Sequence, residues 1–337
     1  MKNRTVGTTA LEVSEIGFGA WTVGTNWWGQ IDEDEGVNLL VRAFDLGINF
    51  FDTADTYGVG YAEEILPKAL GEHRHEIVIA TKFGYDFYAN ATREGHTERP
   101  QNFTPEFIRY ACEQSLTRLD TDYIDLYQLH NPRIDTLEHD EVFDTLDDLV
   151  KEGKIRYYGA ALGPDIGWFE EGQASMEERK VSTVQIIYSI MEQEPAVRFF
   201  PIAEEQKTGL ISRVPHASGL LDGTYTKDTV FDPSDHRSHR RRDWLERGLK
   251  KLAELDFLTD NLDATIGQIA MKFTLSGPQV ASVLPNITNV PQLEEFAGTP
   301  ETEEIPQEFL DRTLELFQED FYLEPIEEPA EEPAPAG

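Results

Sequence analysis

The chain has one cysteine in 337 residues, so it forms no internal disulfide and is not a disulfide-stapled miniprotein. That thiol, Cys112, sits among residues patterned as an amphipathic helix and is expected to be buried rather than nucleophilic. Long apolar runs are also missing. None reaches the roughly eighteen residues of a membrane-spanning helix, and the charged start is not followed by a signal-peptide-like segment. A soluble, unexported, cytoplasmic protein is expected.

Basic residues are scarce. Only 29 Lys plus Arg stand against 63 Asp plus Glu, a formal net charge of −34. Such a field repels nucleic acid and anionic membrane, so neither is an expected partner. The five glutamates of residues 324–337 do not account for it, because 58 acids remain against 29 bases without them. With only 11 lysines, this acidic surface is of the kind salt-adapted proteins use, and a high-salt, halophilic cytoplasm is the expected setting.

Two further signatures are absent. Gly17-x-Gly19 and Gly58-x-Gly60 lack the third glycine that a dinucleotide-binding strand–turn–helix requires. His73-x-His75, His236 and His239 lie in polar links without zinc-ligand spacing, so no metal is expected.

What is present is alternation. The 39% hydrophobic content fills one large barrel or two ordinary domains. A hairpin is suggested over 4–8 and 11–14. Short β-branched runs follow at 16–19, 48–52, 77–81, 123–130, 155–160, 183–188, 210–214 and 280–284. Between them lie helical patterns at 34–46, 62–70, 104–119, 137–151, 165–179, 194–207 and 264–275, with two more at 291–297 and 306–317. Eight strand–helix repeats predict a parallel sheet, either a closed (β/α)8 TIM barrel or an open doubly wound sheet. The stretch 221–243 is long and polar without periodicity, a functional or mobile loop. One domain over 1–323 is expected, followed by a disordered acidic Pro/Glu/Ala tail over 324–337.

Polar residues fall at strand ends. Phe50-Phe51-Asp52 ends one strand, with Tyr57 five residues on; Thr81-Lys82 ends the next, and Gln128-Leu129-His130 the fourth. In a barrel the carboxyl ends of strands share one mouth, so Asp52, Tyr57, Lys82 and His130 would converge. Each alone has a structural explanation: a capping Asp, a snorkelling Lys, a hydrogen-bonded core His, a packing Tyr. Together they make an acid catalyst. Tyr has a pKa of about 10 in water, and a buried Lys82 ammonium is expected to lower it. Asp52 would compensate the Lys82 charge, and His130 would donate beside Tyr57 to an oxygen that turns negative as hydride reaches carbon. That chemistry is carbonyl reduction.

These residues carry a family likeness. With Ala80-Thr81-Lys82-Phe83-Gly84, Ser115-Leu116-Thr117-Arg118-Leu119-Asp120-Thr121-Asp122-Tyr123-Ile124-Asp125-Leu126, Gln128-Leu129-His130 and Gly153-Lys154-Ile155-Arg156-Tyr157-Tyr158-Gly159, the chain resembles the aldo-keto reductase superfamily from about residue 3 to residue 317. The resemblance implies a TIM barrel with an N-terminal hairpin across its bottom and C-terminal helices. It also implies NADP or NAD bound across the mouth, and Asp52, Tyr57, Lys82 and His130 as the catalytic tetrad.

Further cofactor positions follow residue by residue. The resemblance implies Gln185 against the nicotinamide carboxamide, with Asp52 and Trp21 nearby. The Ser-Asn pair that would share the carboxamide is replaced by Ala161-Leu162. Arg213 stands where an aromatic usually stacks on the nicotinamide. Its guanidinium can stack, hold an anionic substrate or cofactor phosphate, or pair with surface acids. Asn286, Gln292 and Phe296 occupy the adenosine positions, where the usual phosphate cations are missing, so NAD becomes a candidate beside NADP. Arg240, Arg241 and Arg242 either replace those phosphate contacts or pair with surface carboxylates. Trp21, Trp27, Trp28, Tyr57, Phe83 and His130 are expected to wall the substrate, a small carbonyl compound or sugar.

Three readings result. The first is an NAD(P)H-dependent oxidoreductase reducing an aldehyde or ketone, or oxidising the matching alcohol or sugar. The second is a nucleotide-sensing subunit resembling the potassium-channel beta subunits. The third is a barrel drifted from nicotinamide binding, which the intact tetrad argues against. Oligomeric state is not legible.

Overall fold

The computed structural model describes residues 1–89, 98–163, 168–233 and 235–324. β1 (Asn3–Thr5) and β2 (Glu12–Ser14) form an antiparallel hairpin. Eight strands follow: β3 (Phe18–Gly19), β4 (Phe50–Asp52), β5 (Val78–Phe83), β6 (Ile124–His130), β7 (Ile155–Ala161), β8 (Thr183–Ile187), β9 (Gly209–Arg213) and β10 (Val280–Leu284). They pair in parallel, each with its sequence neighbour. Gly17 N–H donates to the Val283 carbonyl and Val283 N–H to the Glu15 carbonyl, both at 2.9 Å, with Ile16 opposite Val283. The last strand therefore meets the first, and the sheet is the expected TIM barrel rather than the open alternative.

Alternation along the strands builds the site. Successive strand residues face opposite sides. One interior cluster joins Phe50, Val78, Ala80, Leu126, Ile211, Ala281 and Leu284 to Val6, Leu11 and Val13 of the hairpin, which closes the bottom. Two or four residues further along the same faces stand Asp52, Lys82, Gln128, His130 and Arg213. The inward face is thus apolar below and polar at the mouth. The outward face, with Phe51, Ile79, Phe83, Tyr127 and Leu129, packs under the helices.

Side-chain caps form at some helix starts. Thr104 accepts from Phe107 N–H ahead of the helix Pro105–Arg118, and Thr265 with Gln268 makes a capping box for Ile266–Leu275. The helix expected over 137–151 is two pieces, Ile134–Glu138 and Asp140–Lys151, broken at His139. Helices not anticipated are Arg242–Ala253, Asp256–Asn261 and the short Trp21–Gly24. The first is masked in the sequence by its charges and by Gly248, which is there for contact: a Cβ at Gly248 would stand 2.5 Å from Leu220 Cδ2. Among its described residues, the stretch expected to be aperiodic takes in the end of the turn Ala217–Asp222 and the turn His236–His239, and it ends as the helix from Arg242 begins.

Cys112 is buried, and burial pushes its thiol up to about 12, in line with an unreactive core residue. Among the described residues no helix is long and apolar enough to cross a membrane, and no group of side chains is arranged to hold a metal. Tail residues beyond Glu324, and the start of the helix expected over 165–179, lie outside the described residues.

Candidate active site

The mouth assembles around one carboxylate. Asp52, at the end of β4, takes the Lys82 ammonium on Oδ1 at 2.5 Å. Its Oδ2 accepts from Gln185 Nε2 at 2.8 Å and Gln128 Nε2 at 3.2 Å. Lys82 is 1% exposed and also donates to the Thr53 carbonyl at 2.7 Å, so its charge is balanced rather than stranded. Lys82 Nζ stands 5.2 Å from the centroid of the Tyr57 ring, and Tyr57 meets His130 edge-on with centroids 5.8 Å apart. The four expected residues are brought together.

Tyr57 depends on a close backbone approach. Gly58, Val59 and Gly60 follow it with φ of 59°, 59° and 98°, a run of left-handed conformations that favours glycine. A Cβ on Gly58 would lie 2.2 Å from the Gly24 carbonyl oxygen. Trp21, from the short helix Trp21–Gly24, packs edge-on against Tyr57 at 4.7 Å.

Electrostatics revise one expectation. Burial raises the Tyr57 phenol above its ordinary range, and the Lys82 and Arg213 charges only partly oppose this. Lys82 does not bring it below the value in water, because desolvation of the phenolate outweighs the attraction. Burial, Lys82 and Arg213 push His130 well below its ordinary range, so its imidazole is neutral and carries one N–H. The mouth therefore offers a protonated phenol and a neutral imidazole, both able to donate to one oxygen.

Several contributors were missed in the sequence. Gln128 braces Asp52, a role signalled only by its inward register between Leu126 and His130. Tyr85 packs edge-on against His130 at 5.0 Å and accepts from Asn131 Nδ2 at 2.8 Å. Asp55 is fully buried, and both its carboxylate oxygens lack a hydrogen-bond partner among the described residues. Burial and the neighbouring Glu63 raise it well above the usual carboxylate range. Phe83 is corrected: it stacks on Tyr127 at 4.2 Å with no exposed surface. Next to inward Lys82 on one strand it must face the helices, so it is core and not a substrate wall.

The other expected positions divide. Arg213, at the end of β9, donates to the Leu162 carbonyl at 2.9 Å, reaching over the end of β8 to the loop after β7. Asn286 and Gln292 belong to a neighbouring group. Asn286 N–H donates to His216 Nε2 at 2.8 Å, while Gln292 accepts from Thr288 and donates to Asp222. Phe296 stacks on His216 at 6.1 Å. Trp28 sits 4.6 Å from His236 and under the Arg237 guanidinium at 4.4 Å, packed beneath the long loop. The loop is tied there by His236 N–H on the Trp27 carbonyl at 3.0 Å.

Arg240 donates weakly to Ser218 Oγ at 3.3 Å and lies over Trp244, whereas Arg241 pairs with Asp243 and Arg242 with Glu246. Arg240 and Arg241 border a cavity of about 550 Å³ with Glu192, Trp244, Arg247 and Lys251.

Some of the buried polar atoms without partners among the described residues lie where a polar ligand could be received. His130 Nδ1, Gln128 Oε1 and Trp21 Nε1 lie at the mouth, and Asn286 Nδ2 beside the second group. An extended, polar dinucleotide fits such a donor and acceptor set.

Comparison with known proteins bears on the family and the fold. The sequence model described as "Aldo/keto reductase family" matches residues 15–316. The oxidoreductase YqkF of Bacillus subtilis is 29% identical, over 96% of this chain and 98% of its own length. An NADH-specific methylglyoxal reductase of Escherichia coli is 29% identical, over 88% and 92%. Among solved structures, the glycerol dehydrogenase AKR11B4 of Gluconobacter oxydans superposes with a TM-score of 0.81 at 26% identity, covering 97% of this chain and 98% of that one.

Proposed function

Because the chain belongs to the aldo/keto reductase family and is an NAD(P)-dependent oxidoreductase, we propose that it reduces a small aldehyde or ketone, or oxidises the matching alcohol or sugar, with Asp52, Tyr57, Lys82 and His130 as its catalytic machinery. The observation that carries this is the convergence of a protonated phenol and a neutral imidazole beside a lysine that is itself held by Asp52.

When bound, the reduced nicotinamide supplies a hydride to the carbonyl carbon. Tyr57 gives its phenolic proton to the carbonyl oxygen, so the C=O becomes CH–OH and a phenolate remains. Lys82 steadies that phenolate, with its own position fixed by Asp52 and the Thr53 carbonyl. His130 donates its single N–H to the same oxygen and stays neutral throughout. Trp21 and Tyr85 supply apolar walls, and Trp28 with its loop closes the side toward His216.

Gln185, Asp52, Arg213 and Trp21 would receive the nicotinamide, and Asn286 the adenosine half. Gln292 is engaged with Thr288 and Asp222, and no basic side chain stands at either adenosine position, which favours NADH beside NADPH. We take residues 1–323 as the catalytic domain, and a salt-rich cytoplasm as its setting given the −34 charge. A nucleotide-sensing role like that of potassium-channel beta subunits is the weaker reading, since it leaves a complete acid catalyst without a task.

The test is turnover. The full chain in high potassium chloride should oxidise NADH or NADPH when given methylglyoxal, glyceraldehyde or aromatic aldehydes, or reduce the oxidised nucleotide with glycerol or simple sugars. Saturable nucleotide binding with no turnover on any of these would favour the sensing role.

A further inference from the structure

Behind the mouth, on the outer side of the barrel wall, lies a buried polar group that the chemistry above does not use. Thr81 precedes Lys82 on β5, so its side chain points outward where that of Lys82 points in. The Thr81 hydroxyl donates to Glu63 Oε1 at 2.5 Å, and Glu63 Oε2 accepts from Arg118 Nε at 2.7 Å. Arg118 Nη2 donates in turn to the Tyr88 hydroxyl at 3.0 Å. Thr81 and Glu63 have no exposed surface. β5, the helix Tyr61–Leu70 with Glu63 in its first turn, and the last residue of the helix Pro105–Arg118 all meet here.

The group reaches the backbone of both residues that handle the proton. Glu63 belongs to the helix that starts where the turn Tyr57–Gly60 ends. Gly60 itself rests on Arg118: a Cβ there would stand 2.7 Å from Arg118 Cδ and 3.1 Å from Nε. At the other end of the same loop, Asp55 N–H donates to the Lys82 carbonyl at 3.2 Å. The loop that carries Tyr57 is thus tied to the strand that carries Lys82 at both of its ends, once through backbone and once through Thr81, Glu63 and Arg118. A buried ion pair adds little net stability over apolar packing of equal volume. Its charge-assisted bonds are directional, however, and fix where the joined elements sit.

We infer that Thr81, Glu63 and Arg118 are positioning residues that hold Tyr57 at its working distance from Lys82. The inference rests on the proposed function and deepens it at the same site. All three act through Tyr57 and Lys82, from outside the barrel, and their loss misplaces the phenol that delivers the proton.

The test is Thr81→Val in the full chain, which removes one hydroxyl at nearly constant volume. Assayed well below its melting temperature, the variant should lose about tenfold in kcat, the scale of a misplaced catalytic group. KM for the aldehyde and nucleotide affinity should stay within about twofold, because uniform binding is untouched. Thr81→Ser keeps the hydroxyl and should retain most of the rate. Arg118→Lys, which keeps the charge but not the planar fork, should show the same kcat loss and makes the test from the other end if Thr81→Val does not fold. The decisive readout is the Tyr57→Phe background, where no phenolic proton remains to be placed. There Thr81→Val or Arg118→Lys should change the residual single-turnover rate by less than about twofold. An equal loss in both backgrounds, or a kcat unchanged by both variants, would make the group a support of the fold alone and overturn the inference. A wild type without turnover would sink the proposed function itself, and this inference with it.

Discussion

Gln185 Nε2 donates to Asp52 Oδ2 at 2.8 Å, on the oxygen opposite the one that holds Lys82. Both carboxylate oxygens are therefore occupied, and the carboxylate cannot turn without breaking a charge-assisted bond. Asp52→Asn keeps the shape but presents an amide N–H₂ to either Lys82 or Gln185, where an acceptor is needed. The variant should fold and lose about a hundredfold in kcat, within the range of a disrupted acid–base pair. Steady-state reduction rates check this, and a loss confined to KM would mean Asp52 only positions cofactor.

Tyr57→Phe removes only the transferable proton. We expect nucleotide affinity within about twofold of wild type and kcat down by roughly 10²–10⁴, measured with the same aldehyde under saturating nucleotide. The pH profile of the wild type carries the complementary test. Reduction needs the phenol protonated, and burial places its pKa above 10, the value for free tyrosine. The rate should hold level through neutral pH and fall only on the alkaline side of that value. His130, pushed well below 6.5, should give no inflection near 6.5. An acid limb there would mean the imidazole titrates in its ordinary range.

How much of this was legible in the sequence follows from which signals are local. Strand ends carrying Asp52, Lys82 and His130 could be read because a two-residue period at the carboxyl end of a parallel strand fixes the face. Phe83 was misread for want of the same rule, since its neighbour Lys82 already claims the inward side. Gln128 and Asp55 were invisible because a buried amide or acid is distinguished only by what surrounds it. The helix Arg242–Ala253 was missed because its Gly248 answers to Leu220 from a distant segment, a packing demand that contradicts local propensity. The direction of the Tyr57 shift was also out of reach, as it weighs burial against charge in three dimensions.

Asp55 offers a stability test with a definite sign. Burial and Glu63 raise its pKa in the folded state well above 3.8. Folding therefore favours the protonated acid, and the folded state loses stability as pH rises from the ordinary carboxylate value toward the folded one. Asp55→Asn, which cannot ionise, should lack that slope. Its melting temperature should exceed that of the wild type by roughly 1–2 °C for each kcal/mol relieved, with the gap widening from pH 4 upward. A gap that stays constant with pH would mean Asp55 remains ionised within the fold.

Gly58→Ala tests whether the Tyr57 loop needs its close approach to the helix Trp21–Gly24. Alanine at a φ of 59° is disfavoured by about 1 kcal/mol, and its Cβ would stand 2.2 Å from the Gly24 carbonyl oxygen. That neighbour is backbone and cannot rotate away, so the loop must shift. The shift moves Tyr57 relative to His130 and Lys82, neither of which lies on that loop. We expect a loss of about 2 kcal/mol or more in denaturant unfolding, and at least a tenfold fall in kcat, since donors displaced by a fraction of an ångström no longer meet one oxygen. Gly24→Ala disturbs the same short helix at a different contact, where its Cβ would lie 2.3 Å from that of Ala62. It should lower stability similarly and spare kcat more, because Gly24 does not adjoin Tyr57 in the chain. Equal kcat losses in the two variants would show that helix and loop move as one body.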